Sequence, residues 1–489
     1  MTYDVGEKTK RSIFWVTSGR ICNYIIEFVG GVIVARILFP QDFGIMAIAM
    51  IFIHFAQRLG EFGFNVALIQ KEKITQDHIF TIFMINFGMG TILCLSLVGT
   101  SPFIGKFYDN DLVGKVLAVV SIEFILRGLA STPVALLQRE LKYGQHSAIS
   151  LISIILSTGV TILLALANFE IWSLVFGRLA ASVAEIISIM IITKWIPKFR
   201  YKHWAMKEMF SFGIWMFLRA QLAYFLRNID YLIISKRLGV VPLGFYERGN
   251  NLVIASQRLI GIGVQQVSFS SFSRIQKDSE LLKNTFQKIL TGLSLYNYSI
   301  LIGMFLVAPS FIPVVYGEKW IPTILPLQIL CFSGIPRSLE FLSNSFATAK
   351  GDLKKFTGVL AIHFIFLSIA CFIGSFYGII GVAIGVTISS VFVYILLFNF
   401  LMHLGGFKLM DILSPQIPAL TYISIMVLGV KSWELMMKNL WQIQSFPMLI
   451  SSILVGGILY FGALFTIRFK QTEFLRLELM TRIKSVLKR

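Results

Sequence analysis

The stretch LFPQDFGIMA (residues 38–47) returns two hundred residues later as LGVVPLGFYE (238–247). Further along, FAQRLGEFGFNVA (55–67) returns as ASQRLIGIGVQQV (255–267). Identities fall at Leu38/Leu238, Gly44/Gly244, Gln57/Gln257, Arg58/Arg258, Leu59/Leu259 and Gly63/Gly263, and Trp15 pairs with Trp215. RELKYG (139–144) is echoed more weakly by GDLKKF (351–356). Both copies are strongly apolar, so the repeated unit is a set of membrane helices. The chain is then two related lobes.

Composition agrees. Of 489 residues, 56% are hydrophobic and 14% charged, against about 25% charged in soluble domains. No single soluble core buries that much apolar surface, which excludes a soluble enzyme, a secreted module and a disordered chain and leaves a polytopic membrane protein. A hydrocarbon layer about 30 Å thick needs roughly 20 helical residues. Cutting at polar and Pro/Gly breaks gives fourteen such spans, near 13–38, 43–69, 79–104, 114–138, 147–167, 171–193, 209–235, 243–270, 289–315, 323–349, 356–375, 378–404, 413–430 and 446–467. The fold class expected is all-α, with two six-helix lobes around a central cavity plus two C-terminal helices. The divisions are 1–197 (spans 1–6), 198–207 (linker), 208–405 (spans 7–12), 406–470 (spans 13–14) and 471–489 (basic tail). Six spans per lobe is an even number, so the repeat is parallel, with its pseudo-axis along the membrane normal. The first run is too long for a signal-peptide core and carries Arg20 and Glu27, so no cleavable signal is expected. The tail spaces Leu475, Leu479 and Ile483 as a helix would, which fits a surface helix or simply a basic tail.

The formal charge of +19 raises the question of nucleic acid. With a cytoplasmic N-terminus, 27 of the 44 Lys and Arg residues fall in inside connections and 8 outside. That asymmetry is the positive-inside pattern, placing both termini in the cytoplasm and the basic faces against anionic headgroups. No nucleic-acid partner is expected. Cys22, Cys94, Cys331 and Cys371 lie in apolar runs and form no metal or disulfide framework. His54, His363 and His403 are isolated from one another, so no metal site is expected. No Walker A motif is present, and no ATP drive is expected.

Away from the span ends lie nine arginines and no lysine: Arg20, Arg58, Arg127, Arg178, Arg219, Arg227, Arg248, Arg258 and Arg337. A charge within the bilayer costs at least a few kcal/mol. Arg keeps its charge when buried and grips phosphate with two donors at once. Six of the nine lie on spans 1, 2, 7 and 8, the equivalent first pairs of the two lobes. Arg20, Arg58, Arg219 and Arg258 lie at comparable depth from the inside and are the candidate anion site. Glu123/Arg127 and Arg337/Glu340 read as structural pairs within one helix. Glu27, Glu61, Arg227, Asp230 and Glu247 are candidates for ion coupling or cavity lining. Pro309, Pro313, Pro322, Pro326 and Pro336 mark a hinge, a broken helix or a turn. The glycines from Gly374 to Gly385 fit close helix packing.

At this point ARILFPQDFGIMAIAMIFIHFAQRLGEFGFNVALIQ (35–70), echoed by LGVVPLGFYERGNNLV (238–253), resembles the Wzx-type polysaccharide flippases. It is similar to the WzxC/TuaB-like branch of the multidrug/oligosaccharidyl-lipid/polysaccharide exporter superfamily. The resemblance implies alternating-access transport of undecaprenyl-pyrophosphate-linked oligosaccharide across the bacterial inner membrane. Surface polysaccharide polymerases and other assembly proteins would be partners. It also implies a diphosphate on the arginines of spans 1, 2 and 8, here Arg20, Arg58 and Arg258. It further implies a lipid groove at spans 13–14, no catalytic residue, no cofactor, and coupling to a proton or sodium gradient. The alternative is a cation-coupled drug exporter of the same superfamily, which an arginine-lined interior disfavours. A membrane polymerase, ligase or glycosyltransferase would need larger outside loops than the 3 to 15 residues found here.

Overall fold

The computed structural model describes residues 2–60, 65, 68–69, 71, 73–204, 206, 214–441 and 445–487. Side chains are described outside 2–17, 214–220, 258–263, 265–266, 438–441, 445, 479 and 482–487. Among the described residues the chain is helical, without strands. Backbone groups in a bilayer have no water to bond, and a helix satisfies them internally. Among the described residues, eight helical stretches are long and apolar enough to span a membrane: Pro40–Gly60, Gln76–Phe107, Tyr143–Leu166, Ile171–Thr193, Ser279–Val315, Leu353–Gly405, Leu409–Met437 and Phe446–Thr466, the stretch Leu353–Gly405 holding two helices turned at Gly378. Fourteen is therefore a reading of the sequence, and the structure supports eight by this measure.

The first compact unit runs from Met1 to Gly244. It contains α1 (Thr2–Ile37), α2 (Pro40–Gly60), α3 (Gln76–Phe107), α4 (Asp111–Val120), α5 (Glu123–Arg139), α6 (Tyr143–Leu166), α7 (Ile171–Thr193), α8 (Ile214–Arg237) and the start of α9 (Val240–Ile275). One side of α1 meets α6, with Gly19 against Ser147 and Gly30 against Thr158. Asn23 Nδ2 donates to Ser150 Oγ at 2.8 Å, adding a polar anchor. Beside this contact face Arg20 and Glu27 are exposed. Helix α3 packs on α5 where a Cβ on Gly90 would strike the Phe124 carbonyl, and one on Gly128 would lie 2.9 Å from the Asn86 oxygen.

The repeat's best-matched residues meet in this unit. A Cβ on Gly44 would strike the Val240 carbonyl, and one on Gly244 would strike the Pro40 carbonyl. The contact is reciprocal, residue 44 on 240 and residue 244 on 40, as a two-fold relation between equivalent segments requires. Glycine at both positions lets the backbones touch. Asp42, 7% exposed, caps the start of α2 by accepting the Phe39 N–H at 3.0 Å.

The second unit runs from Phe245 to Arg489. Beyond the rest of α9 it holds α10 (Ser279–Val315), α11 (Ile324–Gly334), α12 (Arg337–Lys350), α13 (Leu353–Gly374), α14 (Gly378–Gly405) and α15 (Leu409–Leu413). Then come α16 (Ile417–Trp441), α17 (Ser445–Thr466) and α18 (Glu473–Leu487). The close packing expected of the glycine run is present: Gly374 and Gly381 each abut the other's carbonyl, and Gly385 abuts that of Ala370. Gly378 turns the hairpin at φ +73°. Helices α16 and α17 pack on α10 around Leu295, Tyr298, Tyr422 and Tyr460. Each buried phenol there finds a partner: Tyr460 donates to the Leu295 carbonyl at 2.6 Å, Tyr422 to that of Ile467 at 2.9 Å, and Tyr298 to Gln416 Oε1. The tail does form a helix, α18, with Leu475 against this cluster.

The two units share a defect in the same place. The fourth expected span is not one helix: α4 stops at Val120 and α5 starts at Glu123. Its repeat partner, the tenth, stops at Gly334 and restarts at Arg337. In the second unit Pro336 supplies the cause, having no N–H to continue the ladder. In the first, a tightened turn does so, with Phe124 N–H on the Ser121 carbonyl and Ile125 N–H on that of Ile122.

Candidate functional site

Polar chemistry gathers at these breaks. In the first unit Glu123, 2% exposed, opens α5. Its Oε1 accepts Arg127 Nε at 2.5 Å, one turn along the same helix. Its Oε2 accepts Arg178 Nε from α7 at 2.6 Å, and Arg178 Nη2 adds a bond to Oε1 at 3.3 Å. The intrahelical pair expected between Glu123 and Arg127 is therefore present, joined by a cation from another helix. His54 on α2 lies within coulombic reach of Arg178, Glu123, Arg127 and Arg58. Glu185, two turns after Arg178 on α7, lies within reach of Arg127 and Glu123. Helix α7 packs on both α2 and α5, which brings these groups into one region.

Arg58 lies one turn beyond His54. Its Cζ stands 5.5 Å from the ring centroid of Tyr224 on α8. Tyr224 is 3% exposed, and its hydroxyl donates to the Ile51 carbonyl. Phe55 packs on Tyr224 at 5.9 Å and on Phe225 at 5.5 Å. The ring face stabilises the cation by about 0.5–2 kcal/mol, the upper value when desolvated, and uses none of its five N–H donors. Among the described residues Arg58 makes no hydrogen bond or ion pair, and neither does the exposed Arg20.

The other expected site residues divide clearly. Arg219 lies on α8 and Arg258 on α9, but their side chains are outside the described residues, as is Glu61 altogether. Glu27 and Arg227 are exposed, and Asp230 is buried, its Oδ1 accepting the Tyr231 N–H at 3.0 Å. Glu247, half-buried, accepts from Asn251 one turn on. Next to it, the Arg248 guanidinium lies 5.7 Å from the ring centroids of both Tyr316 and Trp320.

At the second unit's break one arginine is held by amide and carbonyl groups. Arg337 Nη1 donates to Gln257 Oε1 at 2.8 Å, and Gln257 Nε2 donates to the Gly334 carbonyl at 3.1 Å. Asn297 Nδ2 donates to that same carbonyl at 2.9 Å and to Ser338 Oγ at 3.0 Å. The expected Arg337–Glu340 pair does not form within 4 Å among the described residues. Gln257 offers a carbonyl oxygen from the neighbouring helix instead.

Sequence reasoning named Arg178 among the nine arginines without a partner and gave Glu123 only a structural pairing with Arg127. The available signal was arithmetic. Spans 4 and 6 of the first lobe carry Arg127 and Arg178, whereas Glu123 alone is spaced to pair within a helix.

Two related helical halves, internal arginines and broken spans define a polytopic membrane protein of the transporter class. A family model described as polysaccharide biosynthesis protein matches residues 33–325. This is more than half of the chain, which therefore belongs to that family. The chain is 26% identical over 386 residues to the lipopolysaccharide biosynthesis protein WzxC of Escherichia coli, covering 78% of each chain. It is 26% identical over 393 residues to the teichuronic acid biosynthesis protein TuaB of Bacillus subtilis, covering 79% of this chain and 80% of that one. Among solved structures it is similar to the lipid II flippase MurJ in an inward closed conformation. The TM-score is 0.69 at 16% identity, over 92% of this chain and 97% of that one. An inward-facing multidrug resistance MATE family transporter of the MOP superfamily gives 0.56 at 13% identity, over 81% of this chain and 96% of that one. These two likenesses concern the fold.

Proposed function

We propose that this protein is a flippase for a lipid-linked saccharide in surface polysaccharide biosynthesis. It would move undecaprenyl-pyrophosphate-linked oligosaccharide across the bacterial inner membrane. Membership of the polysaccharide biosynthesis family over residues 33–325 carries this reading. The pattern of free and engaged guanidinium groups supports it. Arg127 and Arg178 are tied to a carboxylate, whereas Arg20 and Arg58 keep their donors among the described residues. A preorganised guanidinium with open donors suits a diphosphate and repels the organic cations that drug exporters carry.

In this reading both termini face the cytoplasm, and Arg20, Arg58, Arg219 and Arg258 receive the diphosphate from that side. The polyprenyl tail stays in lipid while the lobes rock to expose the sugar outside. No bond is made or broken, so the protein acts without a catalytic residue. A proton or sodium gradient drives it, with Glu27, Glu61, Asp230 and Glu247 as the ion-binding candidates. The delivered saccharide passes to a polymerase.

The test compares the protein with Arg58→Ala/Arg258→Ala by native mass spectrometry in detergent. Undecaprenyl-pyrophosphate oligosaccharide, undecaprenyl phosphate and a cationic dye are offered. Selective retention of the diphosphate lipid, lost in the double variant, is expected. Preference for the dye, or equal retention by the variant, overturns the reading or its site.

A further inference from the structure

The connection that follows α7, residues 194–204 (KWIPKFRYKHW), holds Lys194, Lys198, Arg200 and Lys202 and no acid. It is fastened along its length. The Lys202 N–H donates to Thr81 Oγ1 at 3.0 Å, and Arg200 Nε meets Asp77 Oδ1 at 3.1 Å. Trp195 and Phe199 lie 5.1 and 5.7 Å from the Phe83 ring, and Trp204 lies 4.8 Å from that of His78. These partners all stand on the first two turns of α3. The strap therefore runs from the end of one membrane-length helix to the start of another. Helix α3 has 32 residues, about 48 Å at about 1.5 Å each, against a hydrocarbon layer about 30 Å thick. Its first turns reach past the hydrocarbon into the headgroup layer, and the strap lies at that level.

Of the four cations only Arg200 has an anionic partner. The ammonium groups of Lys194, Lys198 and Lys202 make no hydrogen bond or ion pair among the described residues, and that of Lys198 stands 5.8 Å from the Phe80 ring centroid. Between them Ile196 is 72% and Phe199 68% exposed, and Tyr201 and Trp204 are also exposed. A surface at once cationic and apolar is satisfied where phosphates meet acyl chains, the place that Lys stems and aromatic rings favour. An acidic soluble partner would meet the charge and leave the apolar side chains without a match. The corresponding connection of the second unit, 406–408, lacks this surplus. Its one lysine, Lys408, is followed by Asp411, which takes Lys283 Nζ at 3.2 Å.

We infer that residues 194–204 form a binding surface for anionic phospholipid of the surrounding membrane, apart from any transported molecule. Lys194, Lys198 and Lys202 take the headgroup phosphates, and Ile196 and Phe199 sit at the acyl boundary. The contacts with α3 fix the strap beforehand, so little backbone freedom is lost on binding.

The test is native mass spectrometry of the full chain in detergent, offered dioleoyl phosphatidylglycerol, dioleoyl phosphatidylcholine or a polyglutamate peptide. Each basic residue near an anionic surface contributes roughly fivefold in affinity. Wild type is therefore expected to retain the glycerol lipid over the choline lipid by about tenfold or more. Lys194→Gln/Lys198→Gln/Lys202→Gln is expected to lose most of that preference, and Lys408→Gln to keep it. Melting temperature identifies a variant that fails to fold. Should the triple variant do so, Lys194→Gln/Lys202→Gln, which leaves the Lys198–Phe80 contact in place, is expected to lose at least fivefold of the preference. Equal retention of the two lipids by wild type overturns the inference, as does an unchanged preference in the folded triple variant. An equal loss in Lys408→Gln assigns the effect to basic charge at large and overturns the strap. Retention of the peptide above the glycerol lipid overturns the lipid assignment.

Discussion

The first and second units break the same span at the same place and fill the break with opposite chemistry. In the first, the segment after the break begins with Glu123, and its neighbours are two arginines. In the second it begins with Arg337, and its neighbours are an amide side chain and a backbone carbonyl. Each break places an ionic group among helices where no continuous hydrogen-bond ladder runs. The helix start favours an anion, and Glu123 fits that field. Arg337 opposes it and turns to the Gln257 oxygen. The comparison teaches that repetition conserved the backbone device while its charge diverged. One unit sets two guanidinium groups on a carboxylate, and the other sets a single guanidinium on an amide oxygen.

The most severe way to break this comparison is to remove its central acid. Glu123→Ala removes the buried anion between the exposed Arg127 and half-buried Arg178 guanidinium groups. Breaking a buried ion pair costs about 3–5 kcal/mol, so a large drop in detergent unfolding stability is expected. Gln257→Ala removes one acceptor for Arg337 and one of two donors to the Gly334 carbonyl, which Asn297 still serves. The expected cost there is about 1–3 kcal/mol. If denaturant unfolding shows a larger loss for Gln257→Ala than for Glu123→Ala, the contrast between a carboxylate-held and an amide-held break fails.

A smaller effect tests the reciprocal contact of the two copies. Gly44→Ala and Gly244→Ala each push a methyl into the other copy's carbonyl. Overpacking of this kind costs about 1–3 kcal/mol. Because the contact is symmetric, the two variants are expected to shift the melting temperature alike, and the double variant less than the sum. Unequal single effects with full additivity would mean that the two glycines do not share one contact.

Much of this was legible in the sequence, and the reasons differ by element. Helical class followed from apolar runs of membrane length, and the glycine packing from Gly374 to Gly385 followed from spacing alone. The proline cluster was open to a hinge, a broken helix or a turn, and Pro336 stands at one of the breaks. Its counterpart at Ser121–Ile122 carries no proline or glycine, so no residue type announced it. The partner of Arg178 was hidden for another reason. Helical spacing predicts neighbours three and four residues apart, but Glu123 lies 55 positions away, across a helix interface. Arg337 shows the converse. Glu340 sits at a good helical spacing, yet the neutral Gln257 of the adjacent helix takes its donor.

The finest contrast lies at two connections between helices, where each unit fastens a strap by a carboxylate. In the first, Arg200 Nε of the linker meets Asp77 Oδ1 at 3.1 Å, with the arginine 57% exposed, and Trp195 and Phe199 pack on Phe83. In the second, Asp411 takes Lys283 Nζ at 3.2 Å, the Lys408 N–H at 2.8 Å and Gln287 Nε2 at 3.2 Å. Partial burial alone would raise the Asp411 pKa. The Lys408 N–H and Lys283 outweigh it and hold the carboxyl below its ordinary value. A group depressed in the folded state stabilises above its unfolded pKa, about 3.9 for aspartate, and that contribution is lost as pH falls through the folded value. Asp411→Asn is therefore expected to lower stability at neutral pH by no more than about 1 kcal/mol, with the difference from wild type closing below about pH 4. Asp77→Asn leaves the aromatic packing of its strap in place and is expected to change less. Unfolding midpoints of both variants between pH 3 and 7 measure the contrast. A gap for Asp411→Asn that persists at the acid end would show that its hydrogen bonds, and not its charge, fasten the strap.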